Sequence, residues 1–129
     1  MGSLFVFFFG ILGGLCRFAL GDFLPAINGF PISTLLVNLL GCFLMMFLTG
    51  SKFGQTSPRR NLVLGMSTGF IGSFTTFSTF VLDFSKLLML GNLWMMFFYI
   101  FLSLIGGLIF GYFGLWLSNR LRQVNVDVD

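Results

Sequence analysis

The sequence predicts an all-α membrane protein of four transmembrane helices, the third broken near its middle. Three observations carry this reading. Only 9% of the 129 residues are charged and 57% are hydrophobic, whereas soluble domains carry roughly a quarter charged residues. Charge-free runs cover 1–16, 23–51, 61–82 and 87–119, and a bilayer span takes about 20 apolar residues. The third run contains GFIGSFTTFSTF at 69–80, with two glycines, five hydroxyl residues and four phenylalanines in twelve positions.

The spans are expected near 4–24, 32–50, 61–86 and 92–118, forming a single four-helix domain over 1–119 with a polar tail at 120–129. The first helix does not read as a cleavable signal, because MGSLFVFFFG lacks a basic leading region. Val6 also removes the hydroxyl that a myristoylation motif requires there. DFLPAINGFP, with Pro25, Gly29 and Pro31, punctuates the chain before the second helix. SKFGQTSPRR at 51–60 is the second connection, and Leu90-Gly91-Asn92 is the brief third one.

Glycines recur at four-residue spacing as Gly10/Gly14, Gly65/Gly69 and Gly107/Gly111. In lipid this spacing lets helix backbones approach closely. Four passes put Lys52, Arg59, Arg60, Arg120 and Arg122 on one side and Lys86 on the other. That imbalance predicts both termini in the cytoplasm and a single orientation of insertion. Such a small subunit is expected to oligomerise before it can enclose an aqueous route.

Few polar groups remain inside the spans. Arg17 lies about one helical turn before Asp22, and an intramembrane arginine is costly enough to need a role; structural anchoring is the favoured one. Asn38 sits mid-span in STLLVNLLGCF, where its amide protons suit either an anion or a neighbouring helix's carbonyl. Thr34 lies one turn earlier on the same face. Back-bonding to a carbonyl one turn away accounts for one or two hydroxyls of the third span, but not for all of Ser67, Thr68, Ser73, Thr75, Thr76, Ser78 and Thr79. A helix broken around Gly72–Thr76 accounts for them better, because irregular backbone at membrane depth is tolerated beside protein or a polar cavity. Phe77 and Phe80 project from one side after the break, and their positive ring edges can meet an anion while excluding bulk water. The two cysteines, Cys16 and Cys42, suggest neither a disulfide framework nor a zinc site, and histidine is absent. No nucleophile–base pair or phosphate loop emerges, so an enzyme is not expected.

GFIGSFTTFSTF, together with GGLCRF at 13–18 and STLLVNLLGCF at 33–43, closely resembles the Fluc/CrcB family of fluoride channels, and the match spans all four helices. The resemblance implies a fluoride-selective channel in the cell membrane that relieves cytoplasmic fluoride. It also implies an antiparallel dimer with two narrow pores around a central structural sodium ion. Carried over by position, Gly72 and Thr75 would offer backbone carbonyls to the sodium. Phe77 and Phe80 would be the pore phenylalanines, and Asn38 the amide of the second helix. Ser78 and Thr79 would continue the polar lining, while Tyr99 and Ser103 fall at fourth-helix positions near the pore in some relatives. Two positions depart from the pattern: Val81 replaces a frequent serine, and Gly111 stands where relatives tend to have threonine. One of the two pores is therefore expected to be altered.

The resemblance also sharpens the charge argument. An antiparallel dimer needs one subunit in each orientation, so a biased chain is expected to pair with a homologous subunit of opposite bias; pairing with itself is the alternative. Two rival functions come from other classes. A small proton-coupled multidrug-type exporter would want a titratable carboxylate facing the bundle interior, and only Asp22 and Asp83, both near span ends, are available. A noncatalytic membrane assembly subunit would conduct nothing.

Overall fold

The computed structural model describes residues 2–50 and 57–126, and every element is helical: α1 (Gly2–Phe23), α2 (Ile32–Gly50), α3 (Ser57–Leu64), a π-helical turn (Gly65–Ile71), α4 (Gly72–Phe74), α5 (Phe77–Met89) and α6 (Leu93–Val126). Among the described residues three helices are long and apolar enough to cross a membrane: α1, α2 and the Leu93–Leu121 part of α6. The third predicted span is a chain of segments, α3 through α5, bent where the sequence places its break. Lys52, part of the charge bias, lies outside the described residues. The fourth helix runs to Val126, so residues 120–126 of the expected polar tail continue the helix, and 127–129 lie outside the described residues. Arg120 there sits over the Trp116 ring, 5.5 Å from its centroid.

The connections follow local chemistry. Asn28 and Gly29 take φ of 53° and 84°, while Ile27 and Phe30 exchange backbone hydrogen bonds of 3.2 and 2.9 Å. This is the tight turn that Asn-Gly favours, since both central residues must adopt positive φ. Helix α5 stops at Gly91, where φ is 72°. The Asn92 N–H reaches back to the Leu87 carbonyl at 3.1 Å, which closes the helix end as a left-handed glycine allows.

The helices pack as two pairs, α1 against the π-helical turn and α4, and α2 against α6. Each pair is set by a glycine that admits backbone. A Cβ at Gly13 would strike the Phe70 carbonyl, and one at Gly114 would come within 3.1 Å of the Phe43 carbonyl carbon. The four-residue glycine spacing is thus only partly what brings helices together. A Cβ at Gly69 would lie 3.0 Å from Val6 Cα, whereas Gly14 faces open space. Widening of the third segment occurs at this crossing: the Gly72 N–H bonds to the Ser67 carbonyl five residues back as well as to Gly69. π-Helical turns of this kind often lie beside functional sites.

A small core of Leu35, Leu87, Met96 and Tyr99 joins α2, α5 and α6, with Phe30, Phe80 and Phe84 packed against it. Most large apolar side chains elsewhere are exposed, among them Phe18, Phe77, Trp94 and Leu108. An isolated chain with this surface belongs in lipid or against another subunit.

Candidate functional site

The break spans two residues. Thr75 (φ −75°, ψ 154°) and Thr76 (φ −148°, ψ 119°) are extended between α4 and α5. Extended backbone inside a bilayer needs partners for its polar groups, because no water is present to supply them. Asn38 of α2 supplies two. Its Oδ1 accepts the Thr76 N–H at 2.9 Å, and its Nδ2 donates to the Thr76 carbonyl at 3.1 Å. One carboxamide thereby satisfies both backbone groups of a residue that is only 6% exposed.

Thr76 then caps the helix that follows. Its Oγ1 accepts the Thr79 N–H at 3.1 Å and donates to Thr79 Oγ1 at 3.0 Å, with Ser78 Oγ 3.2 Å away. A threonine in extended geometry that accepts from the residue three positions on is a favourable helix start. Two carbonyls are released as a consequence. Helical partners of the Gly72 and Thr75 carbonyls would be the N–H groups of Thr76 and Thr79, and these go to Asn38 and to the Thr76 hydroxyl instead.

Beside the break lies a groove of about 650 Å³, lined by Asn38, Gly72, Thr76, Phe77, Phe80 and Ser103 among others, none of them charged. Phe77 and Phe80 stack with ring centroids 6.0 Å apart. Phe77 is 78% exposed, whereas Phe80 turns inward against Tyr99 at 5.1 Å. Tyr99 is fully buried, and among the described residues no donor or acceptor meets hydrogen-bond geometry with its hydroxyl. Phe30 braces the other side of that ring edge-on at 5.7 Å.

The remaining predicted residues divide by what their protons do. Thr34 is buried and donates to Asp83 Oδ2 at 2.6 Å, with Lys86 3.9 Å from the other carboxylate oxygen. Ser103 donates to the Tyr99 carbonyl at 2.7 Å, and Thr75 to the Ile71 carbonyl at 2.8 Å. Thr75 and Ser103 line the groove and Thr34 lies away from it, and none of the three has a proton to offer. Ser78 is exposed, Thr79 and Thr75 are half-buried, and Gly72 is exposed at the groove. Arg17 is half-buried in α1 and makes no ion pair among the described residues, so it is not held by Asp22. Sequence reasoning counted Thr76 among seven hydroxyls without singling it out. Its place next to Phe77, immediately before α5, carries the signal of a helix cap.

Comparison with known proteins identifies the family. The family described as CrcB-like protein, Camphor Resistance (CrcB), matches residues 4–115. A protein of Listeria innocua named fluoride-specific ion channel FluC 2 is 48% identical over 125 residues, 95% of each chain. Its counterpart in Listeria monocytogenes serovar 1/2a is 48% identical over 94% of this chain and 93% of its own. A FluC 2 protein of Streptococcus pneumoniae strain R6 is 41% identical over 84% of this chain and 87% of its own. A match along nearly the whole length, through the broken helix and the Asn38 helix alike, settles the assignment: the chain belongs to the CrcB family.

Proposed function

We propose that the chain is a subunit of a fluoride-selective channel that lets cytoplasmic fluoride leave the cell by passive electrodiffusion. The observation that carries this reading is an interrupted membrane segment opening on a groove lined by an amide, hydroxyls and stacked phenylalanines, with no charged side chain. Fluoride is small and tightly hydrated. A pore for it must replace water with several modest donors, each weak enough to release the ion again. A lysine in the path would hold the ion too firmly. The driving force is a membrane potential, negative inside, of about 2.3 kcal/mol per charge per 100 mV. The names of the relatives, fluoride-specific ion channels, support the choice of ion.

In this reading the segmented run from α3 to α5 is the third of four transmembrane passes, and both termini face the cytoplasm of a bacterial-type cell. Asn38, Phe77, Phe80, Ser78, Thr79 and Tyr99 contact or flank the anion, while Thr34 and Ser103 shape the wall. The free carbonyls of Gly72 and Thr75 are hard oxygen donors that suit sodium. The same pair from an antiparallel partner would complete its shell, and the bound ion would cross-link the two breaks. Arg17 anchors α1 near the interface.

The basic side chains favour pairing with a homologous subunit of opposite bias. Fluoride efflux from proteoliposomes tests function and pairing together. The chain reconstituted with such a subunit is expected to release fluoride without proton coupling, and the chain alone to release little. Full efflux from the chain alone overturns the heterodimer, and no efflux from either preparation overturns the channel.

A further inference from the structure

The hydroxyls around the break are not equivalent, because each has a single proton and most of those protons are already placed. Thr76 gives its proton to Thr79 Oγ1. Ser78 Oγ lies 3.2 Å from Thr76 Oγ1, and with the Thr76 proton committed elsewhere, Ser78 must be the donor in that contact. Thr76 Oγ1 also accepts the Thr79 N–H. The bonds therefore run in one direction, from Ser78 to Thr76 to Thr79. Among the described residues the Thr79 proton has no acceptor.

We infer that Thr76 is a positioning residue for anion passage, ordering a one-way chain of hydroxyl donors whose only free proton is that of Thr79. The inference rests on the channel reading. A hydroxyl that accepts a hydrogen bond becomes a better donor, because successive bonds polarise one another in a medium of low dielectric. Thr79 accepts from Thr76, which in turn accepts from Ser78 and from a backbone N–H, so the polarisation accumulates at Thr79. Thr76 itself needs no contact with the ion. Asn38 holds the Thr76 backbone through both of its polar groups, which fixes the extended geometry the chain requires. The α2 amide and the α5 hydroxyls act through this one residue. Ser78, exposed and beside Phe77, is on this account a source of polarisation and not the terminal donor.

A capping role alone would also make Thr76 matter, so the test must separate capping from the donor chain. Fluoride efflux rates are measured in proteoliposomes for Thr76→Val, Thr76→Ser, Thr79→Val and the Thr76→Val/Thr79→Val double variant, at matched amounts of protein eluting as folded oligomer. The full assembly that conducts in the parent is used throughout. Thr76→Ser keeps both bonds and is expected within about twofold of the parent. Thr76→Val is expected to be about tenfold slower, the scale of one weakened hydrogen bond to an ion. In the Thr79→Val background the additional effect of Thr76→Val is expected to vanish, because the donor it acts on is gone. The cap bond comes from the Thr79 backbone and survives in that background, so a purely capping role predicts the same loss in both. Equal losses in the two backgrounds, or parental rates for Thr76→Val, overturn the inference while leaving the channel reading intact; a parent that does not conduct fluoride overturns the channel reading itself. Should Thr76→Val fail to fold, Thr76→Cys takes its place. Its weak S–H donor is expected to conduct more slowly than Thr76→Ser, and equality of the two overturns the donor chain.

Discussion

Replacing Asn38 with alanine removes both partners of the Thr76 backbone at once. The N–H and carbonyl lost from 2.9 and 3.1 Å bonds belong to a residue 6% exposed, so lipid and neighbouring side chains leave them little access to water. An unsatisfied buried polar group costs about 1–3 kcal/mol, which puts the variant at about 2–6 kcal/mol less stable. The chain has one way to lower that cost: the Thr76 N–H can turn back to the Gly72 carbonyl and extend α4. That closure would abolish the break and recapture a carbonyl proposed for sodium. Either outcome ends fluoride conduction. Thermal unfolding in detergent, followed by circular dichroism, reads the first, and efflux from proteoliposomes reads both. Asn38→Asp sharpens the test, since it keeps an acceptor for the N–H but places a negative charge against the Thr76 carbonyl. It should resemble alanine and not the parent. If Asn38→Ala unfolds within about 0.5 kcal/mol of the parent and conducts normally, the bidentate clamp is not what holds the break open.

Other consequences follow from particular contacts. Gly13→Ala, whose Cβ would strike the Phe70 carbonyl, should lose about 2 kcal/mol or more in detergent unfolding, by the overpacking that new core atoms cause; Gly14→Ala, facing open space, should be neutral or stabilising by up to about 1 kcal/mol. Thr34→Val and Asp83→Ala, measured singly and together, should show a coupling of about 1–3 kcal/mol for a charged hydrogen bond at 2.6 Å, and additive losses would refute that bond. Val81→Ser combined with Gly111→Thr should raise efflux about twofold if these positions close one of two equal pores, and unchanged flux would show that they do not; Met46 Cγ, 3.4 Å from a Cβ at 111, leaves room for the new side chain to begin.

Much of the architecture was legible because lipid imposes simple rules. Charge-free runs located the helices, and the glycine and hydroxyl cluster at 69–80 located the interruption. Asn38 stood out as a mid-span amide, although the sequence left open whether it faced an ion or a neighbouring carbonyl. The structure gives it both backbone groups of one residue, a geometry that requires α2 and the break to meet and so has no local signature. The glycine spacing pointed to Gly14, while Gly13 carries the close approach, since face selection depends on how α1 crosses the π-helical turn. That turn is itself a tertiary effect. The persistence of α6 to Val126 was missed because polar composition was read as the end of a helix, whereas amphipathic residues beyond the lipid can continue one.

The hydroxyls expose a deeper reason why site reading from sequence stops short. A list of Ser and Thr positions counts oxygens, but an anion responds to protons, and each hydroxyl has just one. Thr34 and Ser103 are expected along the anion pathway and Thr75 at the cation through its carbonyl, yet each of the three hydroxyls donates its proton to a carboxylate or carbonyl within its own chain. The break changes this accounting at a single place. Where the helix continues, a hydroxyl can return its proton to the carbonyl one turn back, as Ser67 and Ser85 do. At Thr76 the backbone is extended, the cap bond makes the hydroxyl an acceptor, and its proton is directed forward to Thr79. Breaking the helix thus does more than free the Gly72 and Thr75 carbonyls. It reverses the direction in which hydroxyl protons point, from the backbone behind to Thr79 ahead, and so in the proposed reading one irregularity would supply oxygens for a cation and a donor for the anion together.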